Sequence, residues 1–205
     1  MKALIAAPPD TKKGNRDRAI MILLYDTGIR IAELLELKVS SLLTSVPSIH
    51  IHGKGDKERS VSIIDSTVSH LKKYLRQFHP EMLPDQPLFY TKMKGSIASM
   101  SPGNVSRIIN KYADAIRSGH PNLPKHLHCH MFRRTKATGL YRNGVELEMI
   151  SVILGHSSTE TTRIYATPSI EMLREAMNTA NSTIPDEIPE WEENEAELAR
   201  ICGLR

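Results

Sequence analysis

Aromatic side chains make up only 5% of the 205 residues, too few for the stacked platforms that hold unpaired bases. Cysteine is scarce too. Cys129 and Cys202 are the two in the chain, and two cysteines make no disulfide framework, which suits a reducing cytoplasm. No apolar run approaches bilayer length, and the stretch from Met1 to Pro9 is too short for a secretory signal. A membrane partner is therefore not expected. Internal repeats and low-complexity tracts are absent as well. What remains is an ordinary globular composition, 40% hydrophobic and 24% charged, enough to bury one core.

The net charge of +4 is unevenly spread: seven acidic residues stand against Arg200 and Arg205 from residue 183 to the end. The body is thus more basic than the total, which invites a polyanion by long-range attraction and counterion release.

Apolar periodicity predicts helices over 15–27, stopped by Gly28, and over 30–37. SIHIH (48–52) and ERSVSII (58–64) alternate around GKGDK, a hairpin signal. Asp65 or Ser66 is placed to cap a helix to Phe78. LFY (88–90) reads as a third strand, able to join the same small sheet. Ser101 followed by Pro102 opens a helix to Arg117. Further helices are expected near 130–143, 145–154, 158–166, 169–180 and 191–201. The fold class is α+β, mostly helical with a small three-stranded antiparallel sheet.

One stretch is chemically unusual. LGHSSTETTRIYA (154–166) ends with Tyr165 in a polar, Thr-rich run where an apolar stripe would be ordinary. Tyrosine is a weak nucleophile, since a pKa near 10 leaves roughly 0.1% ionised at neutral pH. To attack a DNA phosphate it needs cations on the electrophile and an acid for the leaving oxygen. Guanidinium groups suit the first task, their planar fork matching two phosphate oxygens. HMFRRTKATGLY places His130 and Arg133 three apart on one helix face, in a first turn whose backbone N–H groups favour an anion. TGIRIAELLEL opens a helix at Arg30, with Glu33 one turn on to orient it. GKGDKER puts Lys54 at a hairpin tip, within reach of a DNA groove.

In this order the motifs resemble the tyrosine recombinase, or phage integrase, family from about Asp17 to Ala180. Its pattern of Arg, Glu or Asp, Lys, His, Arg, His or Trp, and Tyr is met by Arg30, Glu33, Lys54, His130, Arg133, His156 and Tyr165. Phe132 and Arg134 depart from the usual Leu and His beside the second arginine. The resemblance implies a DNA breaking-rejoining catalytic domain that needs no metal or other cofactor. Tyr165 would form a 3′-phosphotyrosyl link, Arg30 and Arg133 would clamp non-bridging oxygens, and His130 would assist proton movement. His156 would hydrogen-bond the phosphate and Lys54 would protonate the departing 5′ oxygen. Lys57, Arg59, Arg134 and Lys136 are further candidate DNA contacts. The expected partners are double-stranded DNA and further copies of the chain, a tetramer on DNA and a monomer when free, in the cytoplasm at the nucleoid.

Three other readings accompany this one: a non-cleaving DNA-binding module of the same fold, a type IB topoisomerase-like relaxing enzyme, and a metal held by HLHCH (His126, His128, Cys129, His130). The last lacks a second ligand cluster at finger-like spacing. Residues 1–12 read as a linker or trimmed end, 13–182 as the catalytic domain, and 183–205 as an acidic tail. The tail's helix would dock on a neighbouring protomer, or back in cis without DNA. An N-terminal clamp domain, usual in the family, has no counterpart in the chain.

Overall fold

The computed structural model describes residues 1–42, 46–53, 57–93, 95–155, 160–163, 170, 172 and 174. Lys54, His156, Tyr165 and the tail from 175 onward lie outside the described residues, as does the side chain of Lys57. Contacts divide the chain into two units, Met1–Thr167 and Pro168–Arg205. The first unit holds every helix and strand up to residue 163.

Its centre is a long helix. After α1 (Lys2–Ala6) comes α2 (Lys12–Thr27), whose start is capped by the Thr11 hydroxyl accepting from Gly14 N–H. Residues 19–24 of α2 are buried on every side, because α1, α4, α5 and α6 all pack on it. This explains why its apolar residues make no narrow stripe. Two charges inside this shell are paired: Arg16 lies 2.7 Å from Asp17, whose other oxygen accepts from the Tyr112 hydroxyl. The segment expected as a linker is partly helical. Leu4 of α1 is buried in the core cluster, so apolar burial overrides the Pro-rich boundary at Pro8 and Pro9.

α3 (Ile31–Glu36) follows, then β1 (Ser48–Gly53) and β2 (Lys57–Ser62), an antiparallel ribbon pairing Ile49 with Val61, Ile51 with Arg59 and His52 with Glu58. Ile49, Ile51 and Val61 face the core. α4 (Asp65–Phe78) begins differently from expectation. Its N-cap is Ile64, with no side-chain cap. Instead Asp26, reaching across from α2, accepts from Ile64 N–H and from the Thr67 hydroxyl, so a tertiary carboxylate replaces the local one.

The single three-stranded sheet is also corrected. The described residues hold two two-stranded sheets, β1–β2 and a second hairpin of β3 (Tyr90–Met93) with β4 (Ser96–Ser99). LFY does not join β1–β2; it runs beside residues 37–39, with Leu88 N–H donating to Leu37 O and an isolated bridge between Lys38 and Pro87. Gly95, at φ +83°, supplies the turn that folds SIAS back as its partner, where weak strand-formers hide the pattern.

The rest is helical: α5 (Pro102–Ile116), capped by Ser101 as expected, α6 (Cys129–Arg142), α7 (Leu147–Leu154) and α8 (Glu160–Arg163). α6 packs on α2 and on α7. That sandwich positions the candidate site.

Candidate active site

Two helices end in the same way at the same place. α2 stops at Gly28 (φ +63°) and α7 at Gly155 (φ +65°), each left-handed, a conformation only glycine adopts without strain. A side chain at Gly28 would strike Leu154 Cδ2 at 2.7 Å, and one at Gly155 would strike the Arg59 guanidinium at 2.6 Å. The two helix ends therefore abut, and their carbonyls converge.

Arg133 ties them together. From α6 it donates through Nη1 to Gly28 O and through Nη2 to Leu154 O, both at 2.8 Å, and it is 2% exposed. Arg30, just past Gly28, donates through both Nη atoms to the next carbonyl, Gly155 O, at 3.2 Å. The two guanidinium groups thus sit on successive carbonyls of one helix C-terminus, whose partial negative charge offsets their repulsion. They differ in commitment, since Arg30's side chain remains 44% exposed.

Glu33 organises the outer half. Its Oε2 accepts from the Arg30 backbone N–H at 2.8 Å and its Oε1 from Arg30 Nη1 at 3.0 Å. Arg59 of β2 grips the same carboxylate with both Nη atoms, at 3.0 and 2.9 Å. Glu33 is only 5% exposed, so this is no plain surface ion pair. Burial pushes its carboxyl upward, but hydrogen bonds from Arg59 and the Arg30 backbone, with the Arg59 charge, outweigh burial and hold it below the ordinary range. Arg59 Nε is buried with no hydrogen-bond partner.

His130, in the first turn of α6, lies three residues before Arg133 and is exposed. Burial first, then repulsion from Arg133, Arg134 and Arg30, lowers its pKa below the ordinary histidine value. Arg134 is exposed on α6. Lys136, expected toward DNA, instead reaches back to buried Asp26 at 3.6 Å. Arg59, read as a DNA contact, is turned inward onto Glu33. The missed signal was the strand alternation itself: Arg59 occupies an inward position between Lys57 and Val61, and a buried guanidinium requires a counter-ion.

HLHCH does not gather. Among the described residues, the His/Cys/Asp/Glu group whose ligand atoms converge is His50, His52 and Glu58; Cys129 is half-buried, and burial raises its thiol. Of the described tyrosines, three are held in structural bonds. Tyr74 donates to Leu88 O, Tyr90 to Phe78 O and Tyr112 to Asp17. Burial pushes all three phenols up, Tyr112 to about 12 with Asp17 adding to the effect, which makes them still weaker nucleophiles.

A mostly helical domain with small antiparallel sheets is the fold class shared with tyrosine recombinase catalytic domains. The chain belongs to the phage integrase family, whose model matches residues 1–172. Tyrosine recombinase XerC of Staphylococcus epidermidis is 32% identical over 166 residues, 80% of this chain and 53% of that protein. The crystal structure of XerA recombinase superposes with a TM-score of 0.70 at 31% identity, covering 91% of this chain and 62% of that one. XerH site-specific recombinase, bound to its palindromic difH substrate after cleavage, matches at 0.69 and 26%, covering 88% and 51%. The chain spans about half the length of the curated relatives it matches. Among the described residues no helix is long and apolar enough to cross a membrane.

Proposed function

We propose that residues 13–182 are the catalytic domain of a site-specific DNA recombinase that cuts and rejoins double-stranded DNA. The observation that carries this reading is the meeting of Arg30 and Arg133 on successive carbonyls of one helix end, with His130 one helical turn before Arg133 on α6. Guanidinium groups at one spot are what a pentavalent phosphate requires. The residue after Gly155 is His156, and Tyr165 follows nine positions later, so the sequence continues from this corner into two of the three remaining groups, Lys54 being the third.

In the reaction the Tyr165 oxygen attacks phosphorus and the bond to the 5′ oxygen breaks. The phenol proton passes by way of His130, and Lys54 gives a proton to the departing 5′ oxygen. Arg30 and Arg133 hold the non-bridging oxygens, and His156 hydrogen-bonds one of them. The phosphotyrosyl bond keeps the free energy of the diester, so a second strand's 5′ hydroxyl reverses the step without ATP. Arg134, exposed beside the corner, and Lys57 at the hairpin contact the DNA backbone. Four protomers assemble on two duplexes, with the 183–205 tail docking between neighbours.

The test is trapping on a nicked suicide duplex in EDTA. A covalent protein–DNA adduct that is lost in Tyr165→Phe supports the proposal. An adduct that persists in that variant, or none from the parent chain with its cognate duplex, would sink it.

A further inference from the structure

The outer face of the β1–β2 hairpin carries a second constellation, separate from the phosphate corner. Strand alternation sends Ile49, Ile51, Arg59 and Val61 inward and leaves His50, His52, Glu58 and Ser60 outward. Pairing register then sets His52 opposite Glu58 and His50 opposite Ser60. Glu58 Oε1 lies 3.0 Å from His52 Nδ1, and Oε2 lies 3.1 Å from His50 Nε2. One ligand atom from each of the three side chains falls within 4.8 Å of the others. The two imidazoles meet edge to face at 5.4 Å, so their lone pairs are not forced parallel.

We propose that His50, His52 and Glu58 bind one divalent transition metal ion of the zinc class. With metal–ligand bonds of about 2.0–2.2 Å, two ligands of a tetrahedral ion stand roughly 3.3 Å apart, close to the two separations found here. Two neutral imidazoles and one carboxylate are a borderline donor set suited to zinc, cobalt or nickel. Ser60 strengthens the case: its hydroxyl lies 3.3 Å from His50 Nδ1. Accepting from Nδ1–H, it would support the tautomer with a free Nε2, the outer contact common to metal-bound histidine. In that tautomer Nε2 and the carboxylate both offer lone pairs, the state in which they bind a cation together.

The ion takes no part in the phosphate chemistry. It pins positions 50, 52 and 58 across the ribbon, two residues before Lys54, and so restrains the hairpin that carries that lysine. This site stands whether or not the chain cuts DNA.

Untagged full-length chain, stripped with EDTA and desalted, is titrated with cobalt chloride and, separately, zinc chloride. The expected result is one equivalent of Co²⁺ with the intense visible absorption of a four-coordinate ion, displaced by Zn²⁺. Zinc should also slow amide exchange in β1 and β2. His50→Ala, His52→Ala and Glu58→Gln should each weaken binding by more than about tenfold, and Ser60→Ala by about tenfold. His128→Ala and Cys129→Ser should leave it unchanged. The proposal is overturned if no stoichiometric binding is seen, if binding survives in a folded His50→Ala/His52→Ala double variant, or if Cys129→Ser abolishes it.

Discussion

The inner and outer halves of the candidate site solve one problem in opposite ways. Arg133 is sunk in the core and satisfied by two peptide carbonyls. Arg30 is half exposed, held at longer distance by Gly155 O and shared with Glu33. The first arginine is part of the fold as well as of the proposed chemistry; the second is held ready with little structural duty. The lesson is that two residues in equivalent proposed roles need not be equivalent in stability. Separate measurements of folding and cleavage can pull them apart.

The largest effect is expected for Arg133→Ala. It leaves the buried carbonyls of Gly28 and Leu154 without this donor and unties two helix ends. Each orphaned acceptor costs roughly 1–3 kcal/mol, so the loss should total about 2–6 kcal/mol. Urea unfolding measures it. A loss below 0.5 kcal/mol, a threshold of about the size of ordinary surface substitutions, would mean that Arg133 is no tie.

Arg30→Ala sharpens the contrast. Arg59 still holds Glu33, so stability should change by under about 1 kcal/mol. Strand cleavage under the proposed function should fall roughly a hundred- to a thousandfold, the range for losing one preorganised transition-state donor. Adduct formation on the suicide duplex gives the rate. A variant that cuts normally would remove Arg30 from the chemistry.

How much of this was legible beforehand depends on whether a residue's partner is near in sequence. The stop at Gly28, the Ser101 cap and the β1–β2 ribbon rest on local geometry, and each could be read from a few adjacent letters. Arg30 with Glu33 and His130 with Arg133 were equally readable, lying one helical turn apart. Arg59 gripping Glu33, Lys136 turning to Asp26 and Asp26 serving the start of α4 all join residues more than twenty positions apart. Nothing local announces such pairs. The inward register of Arg59 and the buried position of Asp26 were the available hints, and both become meaningful only once the packing of α2 against α4 and α6 is known. The β3–β4 hairpin was missed for another reason: its second strand is a four-residue SIAS with a single β-branched residue, and Gly95 rather than side-chain pattern makes the turn.

Glu33→Gln probes the join between the halves. It removes the charge that Arg30 and Arg59 share, at a cost of about 2 kcal/mol for a hydrogen-bonded charge in a buried place. The pH dependence has a definite sign. Because the folded carboxyl titrates below its ordinary 4.5, its contribution is present in full above that value and is lost as pH falls through the lower, folded-state pKa. The parent's advantage over Glu33→Gln should therefore be flat near neutrality and shrink only in acid. An advantage that disappears already at about pH 6, well above any ordinary carboxylate titration, would point to a different group.

The smallest effect concerns His130. Burial and the charges of Arg133, Arg134 and Arg30 lower its pKa from the ordinary 6.5, which favours the neutral imidazole. The unfolded chain binds that proton more readily than the folded one. Stability thus rises with pH through the window between the folded value and 6.5, the opposite of a histidine held by a carboxylate. Arg134→Ala is the cleanest probe, because Arg134 is exposed and makes neither of the helix-end ties. Removing it should move the His130 titration upward, toward the ordinary value, as followed by the imidazole proton resonance. Arg30→Ala should move it the same way but less, since Arg30 is the weakest of the three repulsions. If neither substitution moves the resonance, the guanidinium groups do not act on His130, and the corner is not the single electrostatic unit on which the comparison of its two arginines depends.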